Sequence, residues 1–215
     1  MTMETKPVIG PTEIRALRDQ TGAGVMDCKR ALEASGGDVD AAVAFLREKG
    51  LAKARDKASR EVREGVIARY IQHGSRLGVL LELNCDTDFV ARTDDFQQLA
   101  RELAMQVAGL SPTWVSRDDV PADVVTSQRE RFAAEAAESG RPADRIDDIV
   151  KGKLDKWFET VCLLDLPYRD TDRRIGDLIT DKVAVLGENI RVARFARMAV
   201  GESWGDADQD AQPEA

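Results

Sequence analysis

The sequence contains few of the residues that build disulfide frameworks or metal centres. Among its 215 residues there are three cysteines and a single histidine. Cys28, Cys85 and Cys162 are odd in number, lie far apart and form no CxxC pair, which argues against a disulfide framework. A single imidazole, on His73, cannot build a metal site by itself. We therefore expect three reduced, buried thiols and no bound metal.

Positive charge and long apolar runs are also scarce. The chain has 31 Lys and Arg residues against 39 Asp and Glu residues, a net charge of −8. This balance argues against a nucleic-acid partner, because phosphate backbones are bound mainly by cations. No apolar run reaches the length of about 18 residues that a membrane span needs. Residues 1–10 lack the apolar segment of a secretory signal, so a cytoplasmic protein is the simplest expectation.

The order of glycine breaks, charged stretches and apolar patterns predicts five regions. Residues 1–11 are a flexible N-terminus, and residues 12–50 predict a module of three short helices. A core this small suits docking better than catalysis. The charged residues 51–63 predict a solvated helix or linker. Residues 64–200 predict a larger core domain, and the acidic residues 201–215, which are nearly free of apolar side chains, are expected to be disordered.

Within the N-terminal module, the helix boundaries follow from capping residues and glycines. We expect Thr12 to cap the first helix and Asp38 to cap the third. The second helix is predicted from about Val25 to Ala34. Gly50 is the expected end of the third helix.

The core domain changes from helical to alternating patterns and back. Gly65–Gln72 and Arg76–Cys85 predict two strands of a hairpin, with a turn at His73–Ser75 between them. A helix with one apolar stripe follows, formed by Phe96, Leu99, Ala100, Leu103 and Val107.

The rest of the core predicts helices and a returning strand. Residues 121–164 predict a helical hairpin that is broken at Gly140–Pro142. Another helix is marked by Ile175, Leu178, Ile179, Val183 and Leu186. Asn189–Val200 alternates as a last strand. Strands followed by helices and a returning strand indicate an α+β fold with an antiparallel sheet.

Two stretches are more specific than any periodic pattern. Residues 18–32 read RDQTGAGVMDCKRAL and closely resemble R-x-x-T-G-A-G-x-M-D-C-K-x-A-L, a signature of the elongation factor Ts family. Residues 83–92, LNCDTDFVAR, resemble its second signature, E-x-N-C-[EQ]-T-D-F-V-A-[RK], although Asp86 stands where Glu or Gln is usual. Residues 187–192, GENIRV, followed by Phe195, also resemble the family. The similarity runs from about residue 12 to residue 201.

This resemblance implies both a fold and a role. The family has an N-terminal three-helix module of the ubiquitin-associated type, followed by an α+β core, which agrees with the patterns described above. It implies a non-enzymatic guanine nucleotide exchange factor in translation elongation, a step of protein biosynthesis. Such a factor binds elongation factor Tu–GDP and promotes GDP release by disturbing the magnesium and phosphate site.

The resemblance also implies which residues intrude at that site. Asp88 and Phe89 are the leading pair, with Thr87 and Val90 beside them. Phe89 brings the large apolar area of an interface anchor, and Asp88 brings a carboxylate that can repel or re-pair groups near the magnesium ion. From the residues alone an alternative stays open, in which Phe89 packs under the following helix and Asp88 caps a turn.

Two further groups of residues match family positions that contact the GTPase. In the N-terminal module these are Arg18, Val25, Met26 and Lys29. The alternatives are that Met26 belongs to the three-helix core and that Lys29 is a solvated helix charge.

The hairpin turn supplies a possible second contact through His73, Gly74 and Arg76. It has the form of a His-Gly-x-Arg-x-Gly turn that long family members carry. The alternative is an ordinary surface turn.

The chain has one core subdomain where long family members have two. It resembles short members that work as two-fold dimers, and we therefore expect a homodimer. The helical hairpin and the last strand are the candidate self-complementary surface.

Two other functions are compatible with parts of the sequence. A ubiquitin-associated-like adaptor without exchange activity would explain residues 12–50 but not Thr87–Phe89. A metal-dependent hydrolase could use Asp86, Asp88, Asp94 and Asp95, but Asp94 and Asp95 equally suit a helix N-terminus. The chain lacks GxxxxGK[ST], so we expect no direct nucleotide binding and no cofactor.

Overall fold

The computed structural model describes residues 9–58, 62–139, 142, 145–169 and 171–202. The helices are α1 (Pro11–Thr21), α2 (Val25–Ala34), α3 (Val39–Ala58), α4 (Asp88–Ala91), α5 (Asp94–Leu110), α6 (Ala122–Glu138), α7 (Ile146–Val161) and α8 (Ile175–Leu186). The strands are β1 (Glu64–Ile71), β2 (Leu77–Cys85) and β3 (Ile190–Ala199), which form an antiparallel sheet in the order β1-β2-β3. The predicted α+β fold is confirmed.

The chain divides into two compact units. The first unit contains the described residues up to Gly65, together with Asn84–Ala91 and Ile179–Arg191. The second unit contains Val66–Leu83, the described part of Arg92–Leu178, and the described residues from Val192 onward. Because both units join segments that are distant in sequence, the linear domain boundaries given above stay predictions.

In the first unit, α1 begins earlier than its sequence suggested. Gly10 is the N-cap residue and Pro11 is the first helical residue, a position that tolerates proline. The side-chain carboxylate of Glu13 accepts a hydrogen bond from the backbone N–H of Gly10. The prediction that Thr12 caps this helix is therefore wrong, since Thr12 lies inside it. The predicted limits of α2 are confirmed.

The third helix is capped as predicted but ends elsewhere. Asp38 Oδ1 accepts a hydrogen bond from the backbone N–H of Ala41 at 3.0 Å. The helix then continues through Gly50 to Ala58, so the expected stop at Gly50 is wrong. A Cβ atom added at Gly50 would lie 2.6 Å from Cβ of Ala184. The glycine is therefore required by close packing against another segment and does not end the helix.

A small apolar core holds the three N-terminal helices together. Its fully buried members are Leu17, Cys28, Ala31, Leu32 and Ala42. None of these side chains is aromatic, so the buried apolar area of this core is small. Other apolar residues of the same helices are exposed and available for contacts.

In the second unit, the predicted hairpin and apolar stripe are confirmed. Strands β1 and β2 meet at a turn in which Gly74 and Ser75 have φ angles of 90° and 55°. The alternating residues of β2 that begin at Val79 are buried, and so is the stripe of α5. Helices α6 and α7 form the predicted helical hairpin, in which Phe132, Val150 and Leu154 make a buried apolar cluster.

A charged cluster also organises the second unit. The Arg117 guanidinium donates from Nη2 to Asp165 at 2.8 Å and from Nη1 to Asp155 at 2.7 Å. Arg174 donates to the same Asp165 carboxylate at 3.1 Å and pairs with Glu159. The hydrogen bonds that Arg117 donates to Asp165 are the main reason why the pKa of Arg117 lies above its usual value. This cluster joins the loops before α6 and before α8 to α7.

Some predictions fall on parts of the chain that the structure leaves out. Most of the predicted N-terminus (1–8), part of the predicted linker (59–61) and the tail beyond residue 202 lie outside the described residues. None of the helices in the described part is long and apolar enough to cross a membrane.

Candidate functional site

A sharp turn follows strand β2 and carries an exposed aromatic side chain. The strand ends at Cys85, and the chain passes through Asp86 and Thr87 into the single-turn helix α4. Phe89, the second residue of α4, is 80% exposed. The alternative in which Phe89 packs under the following helix is therefore wrong. An exposed phenylalanine leaves a large apolar area in contact with water, which is a signal for a binding surface.

Local hydrogen bonds fix this turn at Thr87. The carbonyl oxygen of Thr87 accepts hydrogen bonds from the N–H of Ala91 at 3.2 Å and from the thiol of Cys85 at 3.1 Å. Its hydroxyl oxygen accepts a hydrogen bond from the N–H of Val90 at 3.4 Å. Thr87 thus caps α4, a role that the residue types alone also allow for Asp88. Burial, with a smaller effect from Glu188, raises the pKa of the Cys85 thiol to about 11.

Two residues from a distant loop hold the same turn, and the sequence analysis missed their role. Glu188 accepts hydrogen bonds from both the N–H and the hydroxyl group of Thr87, at 3.0 and 2.6 Å. The backbone N–H of Asn189 donates to Asp86 Oδ2 at 2.9 Å. The family-like stretch at residues 187–192 was the available signal, but the sequence does not reveal the contact that its residues make.

The predicted docking residues of the N-terminal module are exposed. Val25 and Met26, the first two residues of α2, are 50% and 63% exposed. Met26 therefore does not belong to the three-helix core. Arg18 is exposed on α1. Lys29 is exposed as well and lies 3.8 Å from Glu33, which is the geometry of a weak surface ion pair.

The predicted site residues are divided between the two compact units. The turn at residues 87–90 and the exposed residues of α1 and α2 belong to the first unit. His73, Gly74 and Arg76 lie exposed in the turn between β1 and β2, and they belong to the second unit.

The four aspartates that a hydrolase could use have other surroundings. Asp86 accepts the hydrogen bond from Asn189, and Asp94 and Asp95 lie in the first turn of α5, which is capped by Thr93. In the part of the chain that the structure describes, no three His, Cys, Asp or Glu residues are grouped to hold a metal ion. Asp86 thus has a structural partner, and Asp94 and Asp95 stand where a helix N-terminus favours negative charge.

An exposed apolar side chain on a turn that hydrogen bonds hold in place, as at Phe89, is typical of a protein-binding surface. Comparison with known proteins makes this class specific. A family model described as "Elongation factor TS" matches residues 33–202. The chain belongs to the elongation factor Ts family.

Several relatives named elongation factor Ts match this chain along almost their whole length. The elongation factor Ts of Carboxydothermus hydrogenoformans is 48% identical over 198 residues, which cover 92% of this chain and 91% of the relative. That of Fervidobacterium nodosum is 49% identical over 190 residues, with 88% and 96% covered. That of Thermodesulfovibrio yellowstonii is 50% identical over 191 residues, with 88% and 95% covered.

Proposed function

We propose that this protein is a non-enzymatic guanine nucleotide exchange factor that binds elongation factor Tu–GDP and promotes GDP release during translation elongation in the cytoplasm. The observation that carries the proposal is the exposed Phe89 at the tip of a turn that is held by Thr87. Family membership supports the same role. The protein itself makes and breaks no covalent bond and needs no cofactor or nucleotide of its own.

Exchange of this kind requires only differential binding. A factor that binds the nucleotide-free or distorted state of its partner more tightly than the GDP state must weaken GDP binding by the same ratio. Each preference of about 1.4 kcal/mol weakens GDP binding tenfold. A strong effect therefore needs an anchor that is buried in the partner only in the preferred state.

Phe89 and Asp88 have the chemistry for this anchor. Phe89 would bury its ring beside the magnesium and phosphate site, and Asp88 would bring a negative charge close to the ion's ligands. Magnesium requires nearly octahedral oxygen coordination, so a small displacement of its surroundings weakens it. Once the ion is lost, the diphosphate and nearby carboxylates repel one another. Thr87 and Val90 would support the pair from the two sides.

The N-terminal module would supply a separate grip on the GTPase. Val25 and Met26 offer an apolar contact beside the positive charges of Arg18 and Lys29. Met is an adaptable contact residue because its side chain is flexible and polarisable. His73, Gly74 and Arg76 would form the second contact.

Release of a fluorescent GDP analogue from purified elongation factor Tu tests the proposal. Added protein is expected to accelerate release in proportion to its concentration until the effect saturates. Binding to elongation factor Tu without any acceleration would contradict exchange and favour the adaptor function. Absence of both binding and acceleration would contradict both functions.

We also propose that the protein forms a homodimer through the outer face of its sheet. This face carries five exposed apolar residues of the second unit, Ile67, Ile71, Leu80, Met198 and Val200. Its charged pair, Glu82 and Arg194, is joined at 2.7 Å. An exposed apolar face suits self-association under a two-fold axis, while the net charge of −8 makes contacts between two charged surfaces unfavourable.

Sedimentation tests this assembly. The unchanged protein is expected to sediment as a dimer, and Met198→Asp as a monomer, because the substitution would bury a charge at the apolar face. Met105→Asp on α5 is the matched control, since Met105 is also exposed but lies on a helix. A monomeric unchanged protein, or a dimer that persists in Met198→Asp, would contradict the assignment of this face.

A further inference from the structure

The loop between α8 and β3 connects two parts of the first unit that the proposed function uses separately. Glu188 lies in this loop, and both of its carboxylate oxygens accept hydrogen bonds from Thr87, at 3.0 Å from the N–H and at 2.6 Å from the hydroxyl group. Two bonds from one residue to one carboxylate fix direction as well as distance. A third bond, from the N–H of Asn189 to Asp86 at 2.9 Å, holds the preceding residue of the same turn.

The other side of this segment meets the N-terminal helices. A Cβ atom added at Gly50 on α3 would lie 2.6 Å from Cβ of Ala184. The backbone of α3 at Gly50 therefore packs closely against the side chain of Ala184. A Cβ atom added at Gly22, which follows α1, would lie 3.5 Å from the side chain of Val185. Residues 184–189 therefore contact the N-terminal three-helix module, at α3 and at the connection from α1 to α2, and hold the Phe89 turn at their other end.

The turn also has local hydrogen bonds that do not involve Glu188. Thr87 caps α4 through its own hydroxyl and carbonyl oxygens, which accept from Val90 and Ala91. The Cys85 thiol adds another local bond to the Thr87 carbonyl. What Glu188 adds is a connection between this preformed turn and the segment on which the N-terminal helices pack.

We propose that Glu188 is a positioning residue for nucleotide exchange, whose carboxylate holds the Phe89 turn in a fixed relation to the N-terminal three-helix module through residues 184–189. The inference rests on the exchange function proposed above. Docking through α1 and α2 then delivers Phe89 to a defined place on the GTPase. Without the carboxylate the turn keeps its shape, but its direction varies, and less of the docking energy reaches the nucleotide site.

The test separates positioning from binding by the concentration dependence of GDP release. Glu188→Ala is expected to lower the maximal release rate about tenfold, the usual effect of losing hydrogen bonds to a charged group. The concentration of factor at half-maximal rate should stay within about threefold, because the docking surface is unchanged. A merely structural defect would instead lower the active fraction and shift the half-maximal concentration.

Two conservative variants refine the test. Glu188→Gln should stay within about threefold of the unchanged maximal rate, because an amide can accept from the Thr87 N–H and donate to its hydroxyl oxygen. Thr87→Val removes the hydroxyl bond to Glu188 together with the bond from the Val90 N–H, and keeps the bond from the Thr87 N–H to Glu188. It should give an intermediate loss of about threefold. Glu138→Ala, which removes an exposed carboxylate on α6, is the matched control and should match the unchanged protein.

A double variant asks whether Glu188 acts through Phe89. In a Phe89→Ala background, Glu188→Ala should lower the maximal rate by less than about twofold, because the anchor that it positions is already missing. A full additional tenfold loss would overturn the proposal. So would an unchanged maximal rate in Glu188→Ala, or, if that variant does not fold, in Thr87→Val.

The outcomes also separate this inference from the proposed function. If the unchanged protein accelerates GDP release and the Glu188 variants behave like it, exchange stands and the positioning role of Glu188 is wrong. If the unchanged protein does not accelerate release, the exchange function is wrong and the positioning role falls with it.

Discussion

The two compact units expose apolar side chains in different ways. In the first unit, Phe89 protrudes alone from a capped turn, and Met26 stands at the start of a helix. In the second unit, Ile67, Leu80 and Met198 spread over one sheet face. A protruding ring suits insertion into a pocket of a different protein, whereas an extended apolar face suits a second copy of itself.

The polar contacts of the two units differ as well. In the first unit, hydrogen bonds to Glu188 and from the Asn189 N–H hold the functional turn itself. In the second unit, the charged cluster around Arg117 lies among loops and helices, away from the exposed sheet residues in sequence. We infer that changes to the first unit alter exchange and changes to the second unit alter stability and assembly, and the following predictions test this division.

The largest effect is expected from Phe89→Ala. Loss of a central aromatic anchor should lower the maximal rate of GDP release about 100-fold, while the free energy of unfolding changes little because the ring is exposed. Stopped-flow release of a fluorescent GDP analogue and denaturant unfolding measure the two quantities. Met105→Ala, at another exposed apolar residue, is the control. A rate within about twofold of the unchanged protein would remove Phe89 from the mechanism.

Arg117→Met in the second unit should have the opposite profile. It leaves the Asp165 and Asp155 carboxylates without their shared guanidinium and should lower the free energy of unfolding by about 2 kcal/mol. The maximal exchange rate of the folded protein should not change. Urea unfolding monitored by tryptophan fluorescence measures the loss, with Arg129→Met on the exposed face of α6 as the control. Equal stability of the two variants would show that the cluster contributes little.

Because the Cys85 and Cys162 thiols, one in each unit, are buried, we expect the free energy of unfolding to fall at alkaline pH. Burial raises the pKa of Cys85 to about 11 and that of Cys162 to about 12, from 9.0 in the unfolded chain. The unfolded chain therefore releases these protons first, and the folded state loses stability as pH rises from 9 through 11 for Cys85 and through 12 for Cys162.

Each thiol contributes at most about 1.4 kcal/mol per pH unit within its window. Urea unfolding between pH 8 and about pH 10 should show a shallower decline in Cys85→Ala and in Cys162→Ala than in the unchanged protein. Identical slopes in all three proteins would mean that the thiols do not titrate differently on folding.

Met26→Ala should affect docking without affecting the later step. Removal of most of an exposed interface side chain should raise the half-saturating concentration about fivefold, with the maximal rate unchanged. The same release assay, run over a range of factor concentrations, gives both quantities. A lower maximal rate at unchanged half-saturation would mean that α2 takes part in opening the nucleotide site.

The smallest effect is expected at the turn of the second unit. His73→Ala should slow GDP release about twofold, because an exposed residue at the edge of an interface contributes little binding energy. Arg76→Ala is a second probe of the same turn. An unchanged release rate in both variants would rule out this contact and leave exchange entirely to the first unit.

Local patterns predicted most of the fold because their causes are local. The limits of α2 and the stripe of α5 follow from helical spacing, and the Asp38 cap needs only a neighbouring N–H. The prediction that α3 ends at Gly50 was wrong, because this glycine serves close packing against Ala184 and not a helix end. Ala184 comes from a distant part of the chain. Sequence spacing carries no information about such an approach.

In the candidate site, too, local patterns indicated some features, and others depend on residues that are distant in sequence. The motif at residues 83–92 indicated Phe89, and the structure adds that its side chain is exposed. The bond between Glu188 and Thr87 joins residues 101 positions apart, so no local pattern could predict it. For Met26, exposure could not be decided from the sequence, because a methionine at that helical position fits either the core or the surface.

The central claim is that Phe89 enters the nucleotide site of elongation factor Tu, and the structure of their nucleotide-free complex tests it most directly. We predict that the Phe89 ring lies in contact with the residues that bind magnesium and phosphate, with Val25 and Met26 on a separate surface of the GTPase. A complex in which the ring faces solvent or its own chain, away from that site, would contradict the claim.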